Sequence, residues 1–253
     1  MSVNSRPRIF AHRGALLNAP ENTLAAFRLA FANGADGIEC DIRRTKDGEL
    51  VLFHDPDLRR VAGRPERIAD IPYKQFKEIR VFGKEPVAHL NELFALLAEY
   101  PGKPCFLDIS LDQRRDIEKL ARAVVDAGLA DRLHILAFIH LRRRLAHARR
   151  VCPEVRLSVM PLTPVRLLEL ARLAGAATVC TGWNQWWIAK KWFRLVAGLT
   201  DFRGSVRRAQ AAGIEVTGGV ANTPDEVRWF ADQGVSGVWT DDVPMTRETL
   251  DAP

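Results

Sequence analysis

The stretch GIECDIRRTKDGELVLFHD, residues 37–55, contains two short apolar runs that carry polar side chains at their ends. In the first run Glu39 and Asp41 are two residues apart, so on a β-strand both side chains leave the same face. The second run closes on His54, and an earlier apolar run closes as AHRG at 11–14. Polar residues that gather at strand ends are typical of the carboxyl-terminal rim of a parallel α/β barrel.

The chain on either side of this stretch alternates short apolar runs with longer helical patterns, which predicts a parallel sheet with crossover helices. The predicted strands cover 8–12, 37–42, 50–54, 105–111, 133–138, 156–160, 178–181, 215–220 and 237–240. The predicted helices cover 22–33, 91–99, 114–127, 141–151, 164–173, 184–196, 205–212 and 224–232. The fold class is therefore α/β, and the expected architecture is a TIM (β/α)8 barrel.

These strands are one too many for the eight places of such a barrel. The link between the second and third strands, at about 43–49, is too short for the helical crossover that parallel neighbours usually need. We therefore expect one of these two strands to be a hairpin arm or an irregular barrel strand. The pattern is less regular at about 56–88, which predicts a small insertion after the third strand within a single domain covering 8–250.

Composition narrows the class of protein further. Hydrophobic residues make up 47% and charged residues 27% of the 253 residues, which excludes disordered and collagen-like chains. The net charge of +6 suits anionic ligands such as phosphates but is modest for a nucleic-acid binder, so no nucleic-acid partner is predicted. The four cysteines show no metal-binding spacing, and no run is long enough for a signal peptide or a membrane span. We expect a cytoplasmic protein.

The residue types at the strand ends suit phosphate chemistry. Glu39 and Asp41 offer the oxygen ligands that Mg²⁺ or Ca²⁺ prefers over zinc. His12 and His54, at separate strand ends, suit a general acid and a general base acting on opposite sides of one phosphorus, while Arg13 can grip phosphate oxygens. Each residue alone has a structural explanation as a hydrogen-bonding or ion-pairing group. Their combination at three successive strand ends favours a functional site.

Four segments resemble the glycerophosphodiester phosphodiesterase family, and the likeness runs from Ile9 to about Val243. The segments are AHRG at 11–14, PENT at 20–23, GIECDIRRTKDGELVLFHD at 37–55 and GVWTDD at 237–242. The resemblance implies a TIM barrel of the phospholipase C-like phosphodiesterase type. It also implies hydrolysis of glycerophosphodiesters to sn-glycerol 3-phosphate and an alcohol, with a divalent cation as cofactor.

The family's functional residues can be carried over by position. The resemblance implies an acid/base pair at His12 and His54, a phosphate contact at Arg13, metal ligands at Glu39 and Asp41, and supporting residues at Glu21, Asn22 and Asn222. One histidine would remove the proton of the glycerol hydroxyl next to the phosphodiester, and the other would protonate the leaving alkoxide. Water would then open a cyclic phosphate with the two histidines exchanging roles.

The fourth strand departs from the family pattern, which places a metal-binding Glu there, followed two residues later by Lys. Here Ser110 stands at the Glu position and Asp112 at the Lys position. Asp112, nearer the rim, is the first expectation for a shifted third ligand, and Asp108, deeper in the barrel, is the alternative. Each is displaced by two residues, or about 6.6 Å along a strand. Two other outcomes stay open: weak metal binding through the remaining acids and water, or a poor catalyst that keeps its phosphate pocket.

A tryptophan-rich run, WNQWWIAKKWF at 183–193, follows another predicted strand end. Trp183 and Trp186 are therefore candidates for the wall of a pocket that receives a lipid tail. The run could also rest transiently on an anionic membrane surface. The competing interpretation is that its aromatic residues form the buried face of an amphipathic helix.

These observations predict a phosphoric diester hydrolase whose partner is a small phosphodiester. Lysophospholipids are candidate substrates beside glycerophosphodiesters, in which case the product is of the lysophosphatidate type. The competing hypothesis is a catalytically weak or inactive family member that binds phosphodiesters. It rests on Ser110, which occupies the position of the family's third metal-binding Glu.

Overall fold

The computed structural model describes residues 6–161, 163–183 and 187–252. Within these ranges the strands are β1 Arg8–His12, β2 Gly37–Arg44, β3 Leu50–Leu52, β4 Arg80–Val81, β5 Glu85–Pro86, β6 Ala88–His89, β7 Cys105–Ile109, β8 Leu133–Phe138, β9 Arg156–Met160, β10 Thr178–Thr181, β11 Glu215–Gly218 and β12 Gly237–Thr240. The α-helices are α1 Leu24–Ala32, α2 Arg59–Ala62, α3 Tyr73–Phe76, α4 Leu90–Ala98, α5 Arg114–Asp126, α6 Arg142–Val151, α7 Leu167–Ala174, α8 Trp187–Leu199, α9 Phe202–Ala211, α10 Pro224–Asp232 and α11 Val243–Asp251. Short 3-10 helices cover Ile68–Asp70 and Ile139–Leu141.

Eight parallel strands form a closed barrel, as the sequence predicts. Strand β1 pairs with both β12 and β2, and the other barrel strands, β7 to β11, complete the ring in chain order. Closure follows from the right-handed crossovers of successive strand and helix units, which bring the last strand back beside the first. The barrel is therefore the element that brings the carboxyl ends of all eight strands to one rim.

The extra predicted strand is a hairpin arm. Strand β2 runs on past the barrel and pairs antiparallel with β3, with Ile42 opposite Leu52 and Arg44 opposite Leu50. The link between them closes in a turn in which the Gly48 amide donates to the Thr45 carbonyl at 3.0 Å. Strand β3 then pairs with β6 on its other edge and lies outside the eight-stranded ring.

The residues that follow β3 form a small layer with a hydrophobic cluster of its own. This layer contains α2, α3, the Ile68–Asp70 3-10 helix and the β4–β5 hairpin. Leu58, Ile68 and Phe76 are buried in its cluster, which is separate from the main one. Elements of two to four residues are too short to show a period in sequence, which explains why the pattern at 56–88 is irregular.

The strands alternate as their sequences predict. Ile38, Cys40 and Ile42 point outward into the apolar layer between the barrel and its helices. Inside the barrel, aromatic rings fill the bottom: Phe10 stacks on Trp239 with ring centroids 4.9 Å apart and meets the edge of Phe106 at 5.3 Å. The same region also holds buried polar side chains, since His134 hydrogen-bonds there to Ser158 and Thr178.

The last helix, α11, is absent from the sequence-based expectations. Asp242 caps its first turn by accepting from the Met245 amide at 3.0 Å, and Pro244 occupies the first turn, where a missing amide costs nothing.

None of the helices among the described residues combines the length and the apolar character needed to cross a bilayer.

Candidate active site

Two histidines at the barrel rim are each held by an aspartate. His12, the last residue of β1, lies 2.8 Å through Nδ1 from Asp241, which directly follows β12. His54 follows β3 and lies 2.6 Å through Nδ1 from its neighbour Asp55. An aspartate that accepts from Nδ1 leaves Nε2 as the nitrogen available for proton transfer. Both histidines line the same cavity.

The aspartate partners stay ionised. Burial acts to raise the pKa of Asp241, but the hydrogen bond and charge of His12 outweigh it, and the net pKa is lowered. The pKa of Asp55 is also lowered, because hydrogen bonds from Arg60 and His54 outweigh its partial burial. Each carboxylate can therefore stabilise the imidazolium form of its histidine.

Asp241 was missed in the sequence. It follows the last apolar run, and a polar residue at the end of an apolar run is the signal that indicates His12 as a site residue. The same signal was therefore available for Asp241. Its second oxygen accepts from Asn222 at 2.6 Å, and its amide donates back to the Asn222 side chain at 2.9 Å. The structure thus places Asn222 against Asp241, where it fixes the carboxylate that faces His12.

Three carboxylates form a cluster beside His12. One oxygen from each of Glu39, Asp41 and Asp108 lies within 4.8 Å of the other two. Asp41 and Asp108 are paired in register on adjacent strands, which explains why the two side chains meet. The Nε2 atom of His12 is 4.0 Å from Glu39.

The three carboxylates of the cluster repel one another, and Arg13 compensates their negative charge only in part. Burial, followed by the charges of Asp41 and Asp108, raises the pKa of Glu39 well above its ordinary value. Burial and the charge of Asp41 raise the pKa of Asp108 to about 7. Buried carboxylates that repel one another are stabilised by a shared cation, and oxygen donors of this kind fit Mg²⁺ or Ca²⁺.

Asp112, the first expectation for a third ligand, lies outside this cluster. Strand β7 ends at Ile109, and beyond it the Asp112 side chain turns towards solvent, with 87% of its surface exposed. It accepts from Arg144 of α6 at 2.6 Å. The structure therefore brings the alternative, Asp108, to Glu39 and Asp41, and leaves Ser110 on the inner face above it, beside a smaller cavity.

The segment after β1 holds the acidic cluster in place. The amide of Arg13 donates to Glu39 at 3.0 Å, and its Nε lies 3.1 Å from Asp41. The side chain of Asn22 donates to Asp41 at 2.8 Å and accepts from the Asp41 amide at 3.0 Å. The turn of this segment packs against α1 at Gly14, whose φ is +94° and where a Cβ atom would lie 2.6 Å from the Cβ of Ala26.

Arg60 of α2 connects the insertion to the site. It donates to both oxygens of Asp55, at 2.7 and 3.2 Å, and to both oxygens of Glu21, at 2.8 and 2.6 Å. Glu21 in turn accepts from Arg13 at 3.4 Å. The chain of contacts runs from His54 through Asp55, Arg60 and Glu21 to Arg13. No pattern in the sequence indicates this role of Arg60, because its contact with Glu21 joins residues that are 39 positions apart.

A cavity of about 810 Å³ opens above these residues. One wall is polar and consists of the histidines, Arg13 and the carboxylate cluster. The other walls are apolar, and their members include Leu136, Phe138, Met160, Trp183, Ile188, Trp192, Phe193, Val220 and Trp239. Such a site can hold a molecule with one charged and one apolar end.

Trp183 belongs to the apolar side of this cavity. It is 7% exposed, its ring packs on Phe230 with centroids 4.6 Å apart, and its indole N–H donates to the Val220 carbonyl at 3.0 Å. Gly182 before it lets the chain approach β11, since a Cβ atom there would lie 1.4 Å from the Gly219 carbonyl oxygen. Trp186, the second candidate for a tail wall, lies outside the described residues.

Known proteins resemble this chain in both sequence and fold. The family model described as "Glycerophosphoryl diester phosphodiesterase family" matches residues 12–245. A "Glycerophosphodiester phosphodiesterase" of Caldanaerobacter subterraneus is 30% identical over 164 residues, which cover 60% of this chain and 65% of that protein. The match thus spans slightly less than two thirds of that relative's length.

Solved structures share the barrel. A putative glycerophosphoryl diester phosphodiesterase of Silicibacter pomeroyi superimposes with a TM-score of 0.82 at 23% identity, over 97% of this chain and 93% of the other. A phosphodiesterase of Oleispira antarctica, in complex with the product sn-glycerol-3-phosphate, gives a TM-score of 0.78 at 23% identity over 98% of both chains. At these identities the likeness concerns the fold. Because the family match covers nearly the whole chain, this protein belongs to the glycerophosphoryl diester phosphodiesterase family.

Proposed function

We propose that the protein is a phosphoric diester hydrolase that cleaves glycerophosphodiesters to sn-glycerol 3-phosphate and an alcohol. One observation carries the proposal. Two imidazoles, each oriented by an aspartate through Nδ1, line one cavity beside a cluster of three carboxylates. A pair of oriented histidines can add and remove protons on one substrate, which is what a phosphodiester displacement requires.

The two histidines would divide the proton transfers. One Nε2 takes the proton of the hydroxyl next to the phosphodiester, and the oxygen of that hydroxyl attacks phosphorus. The other Nε2 donates a proton to the leaving alkoxide, so a cyclic phosphate forms. Water then opens the ring with the roles reversed, which returns both histidines to their starting states.

Glu39, Asp41 and Asp108 would hold the divalent cation that the family implies. The fit rests on three clustered oxygen donors, of which Glu39 and Asp41 are buried and Asp108 is partly exposed, and on the raised pKa values of Glu39 and Asp108, which burial and then mutual repulsion cause. The bound cation would offset the negative charge of the phosphodiester. Arg13 and Asn22 would keep Asp41 in position, because both contact it directly.

We further propose that the cavity accepts substrates with an acyl chain, such as lysophospholipids. Its apolar walls are far larger than a glycerol or choline group needs, and Trp183 and Trp192 lie among them. Burial of a hydrocarbon chain there would contribute about 0.8 kcal/mol for each CH₂ group. The product would then be of the lysophosphatidate type.

Helix α8 supports access to such substrates from a lipid surface. Ile188, Trp192, Leu195 and Leu199 are all exposed, and their spacing places them on one face of the helix. Ile188 and Trp192 also line the cavity, so this apolar face continues into the site. Lys190 and Arg194 are paired with Glu226 and Asp225, so the proposed membrane contact would rest on the apolar face rather than on those cations.

A reducing compartment, such as the cytoplasm, is also part of the proposal. All four cysteines are free and buried in the structure. Unpaired thiols of this kind are usual where glutathione keeps proteins reduced.

The decisive experiment incubates the purified protein with glycerophosphocholine and with lysophosphatidylcholine, each with Mg²⁺, Ca²⁺ or a chelator. We expect cation-dependent release of choline and of the matching phosphate monoester. Absence of hydrolysis of both substrates under every condition would contradict the proposal. Retained binding of sn-glycerol 3-phosphate in that case would favour the alternative, a family member that binds without cleaving.

A further inference from the structure

A second, smaller cavity of about 300 Å³ adjoins the main one. The two share four lining residues, Asp41, His54, Asp108 and Phe138, so they meet at the proposed reaction centre. Arg43 and Ser110 line only the smaller cavity. Arg43 is two residues after Asp41 on β2 and therefore extends the same inward face towards the rim.

Arg43 differs from the other guanidinium groups around the site. Arg13 lies 3.1 Å from Asp41, Arg60 2.7 Å from Asp55, and Arg144 2.6 Å from Asp112. Among the described residues, no carboxylate oxygen comes within 4.0 Å of the nitrogens of Arg43. Arg43 is thus the one half-buried guanidinium of this group without a direct anionic partner.

The hydrogen bonding of Arg43 leaves its terminal nitrogens for a ligand. Its Nε donates to the carbonyl oxygen of His54 at 2.6 Å, and this neutral acceptor fixes the side chain without neutralising it. The two terminal nitrogens have no hydrogen-bond partner among the described residues, and they are not sealed from solvent. A half-buried cation in this state is stabilised by an anion that enters the cavity.

We propose that Arg43 binds the phosphate group of the substrate, with its terminal nitrogens donating to the non-bridging oxygens. Arg13, the residue that the family resemblance assigns to phosphate, is already paired with Asp41 and Glu21. Arg43 supplies the second positive charge, and its bond to the His54 carbonyl ties the position of the phosphate to the backbone of that histidine. This inference rests on the proposed function for the identity of the phosphate compound.

The test compares Arg43→Gln and Arg43→Lys with Arg59→Gln, which removes the same charge from a side chain that is 73% exposed. The affinity for sn-glycerol 3-phosphate is measured by calorimetry in the presence of Mg²⁺, together with kcat/KM for glycerophosphocholine. We expect R43Q to weaken product binding and to lower kcat/KM by ~10-fold or more, as loss of a charge-assisted hydrogen bond does. R43K should fall between R43Q and the wild type, and R59Q should match the wild type.

The following results decide the inference. Product binding by R43Q that equals that of the wild type would overturn it, as would a wild-type protein that binds no sn-glycerol 3-phosphate. Mg²⁺ affinity should be unchanged in R43Q, which separates loss of a phosphate contact from disturbance of the carboxylates. Should R43Q unfold at the assay temperature, the comparison of R43K with the wild type decides. Arg43-dependent product binding without turnover would sustain this inference while the proposed hydrolase activity fails.

Discussion

Asp41 and Asp108 lie directly opposite each other on the adjacent parallel strands β2 and β7, and both carboxylates face the inside of the barrel. This pairing makes Asp108, rather than Asp112, the third oxygen donor beside Glu39. The proposed cation position therefore lies deeper in the barrel than Ser110, by one inward-facing residue of the strand.

Substitution of these two aspartates should separate their roles. We expect Asp108→Asn to weaken Mg²⁺ binding by at least ~10-fold, since even outer partners of a metal site contribute that much. Asp112→Asn should leave cation affinity unchanged, because its side chain is 87% exposed and bonded to Arg144. Calorimetric titration of the two variants with Mg²⁺ and Ca²⁺ checks this. Weaker binding by D112N than by D108N would refute the assignment.

The two histidines should each be essential for turnover. His12→Ala and His54→Ala should each reduce kcat by ~10²-fold or more, as removal of a general acid or base does. Steady-state assays with glycerophosphocholine, combined with thermal melting to verify folding, provide the measurement. A variant that folds and keeps wild-type kcat would show that its histidine has no part in proton transfer.

The aspartate behind His12 should act through the histidine. We expect Asp241→Asn to lower kcat more than it raises KM, because it removes the charge that stabilises the imidazolium of His12 without touching the phosphate. The pH profile of kcat should change as well, because Asp241 contacts His12 directly. Equal pH profiles for D241N and the wild type would indicate a purely structural role.

Substrates with and without an acyl chain should distinguish the two ends of the cavity. Trp192 lines the cavity from α8, whereas Leu199 on the same helix is exposed and lies outside it. We expect Trp192→Ala to lower kcat/KM for lysophosphatidylcholine by ~10-fold while leaving glycerophosphocholine hydrolysis unchanged, because only the first substrate places hydrocarbon against the ring. Leu199→Ala is the matched control. An equal loss on both substrates would argue against a tail site.

Stability should depend on pH through His134, a buried residue far from the rim. Its Nδ1 faces the hydroxyls of Ser158 and Thr178, at 2.9 and 3.3 Å, and burial lowers its pKa from about 6.5 to about 3. The folded protein therefore keeps this group neutral where the unfolded chain protonates it. Between pH 6.5 and 3 the free energy of unfolding should fall by up to about 1.4 kcal/mol per pH unit from this group alone.

Urea denaturation at several pH values tests this dependence. Above pH 6.5 the contribution of His134 is complete and constant, because neither state carries the proton there. His134→Gln should be less stable at neutral pH but should lose less stability on acidification. If the free energy of unfolding falls equally steeply with decreasing pH in the variant and the wild type, groups other than His134 cause the loss of stability in acid.

Much of the barrel could be predicted from sequence because each barrel strand is a short apolar run bounded by polar residues. The alternation of Glu39 and Asp41 with outward apolar residues predicts that both side chains face the inside of the barrel, and the structure has them there. The short elements of the insertion could not be predicted, since two to four residues span little more than one period of a helical or strand pattern.

The third carboxylate illustrates a different limit. Alternation along the fourth predicted strand, which is β7 and the third strand of the barrel, places both Asp108 and Asp112 on the inner face, and distance to the rim favours Asp112. The deciding facts are that β7 stops at Ile109 and that Arg144, on the helix α6 that follows β8, holds Asp112 away from the cluster. A strand end and a contact over 32 residues are properties of the assembled fold.

The hydrogen bonds that Arg60 donates to Asp55 and Glu21 have a consequence for heat inactivation. Arg60 belongs to a layer with its own hydrophobic cluster, yet it holds Asp55 and Glu21, which lie next to the proposed proton-transfer and phosphate-binding residues. A layer of short elements can open locally while the barrel stays folded. The temperature at which turnover is lost should therefore lie below the temperature at which the barrel melts, and recovery on cooling should be rapid, because only the layer has to close again.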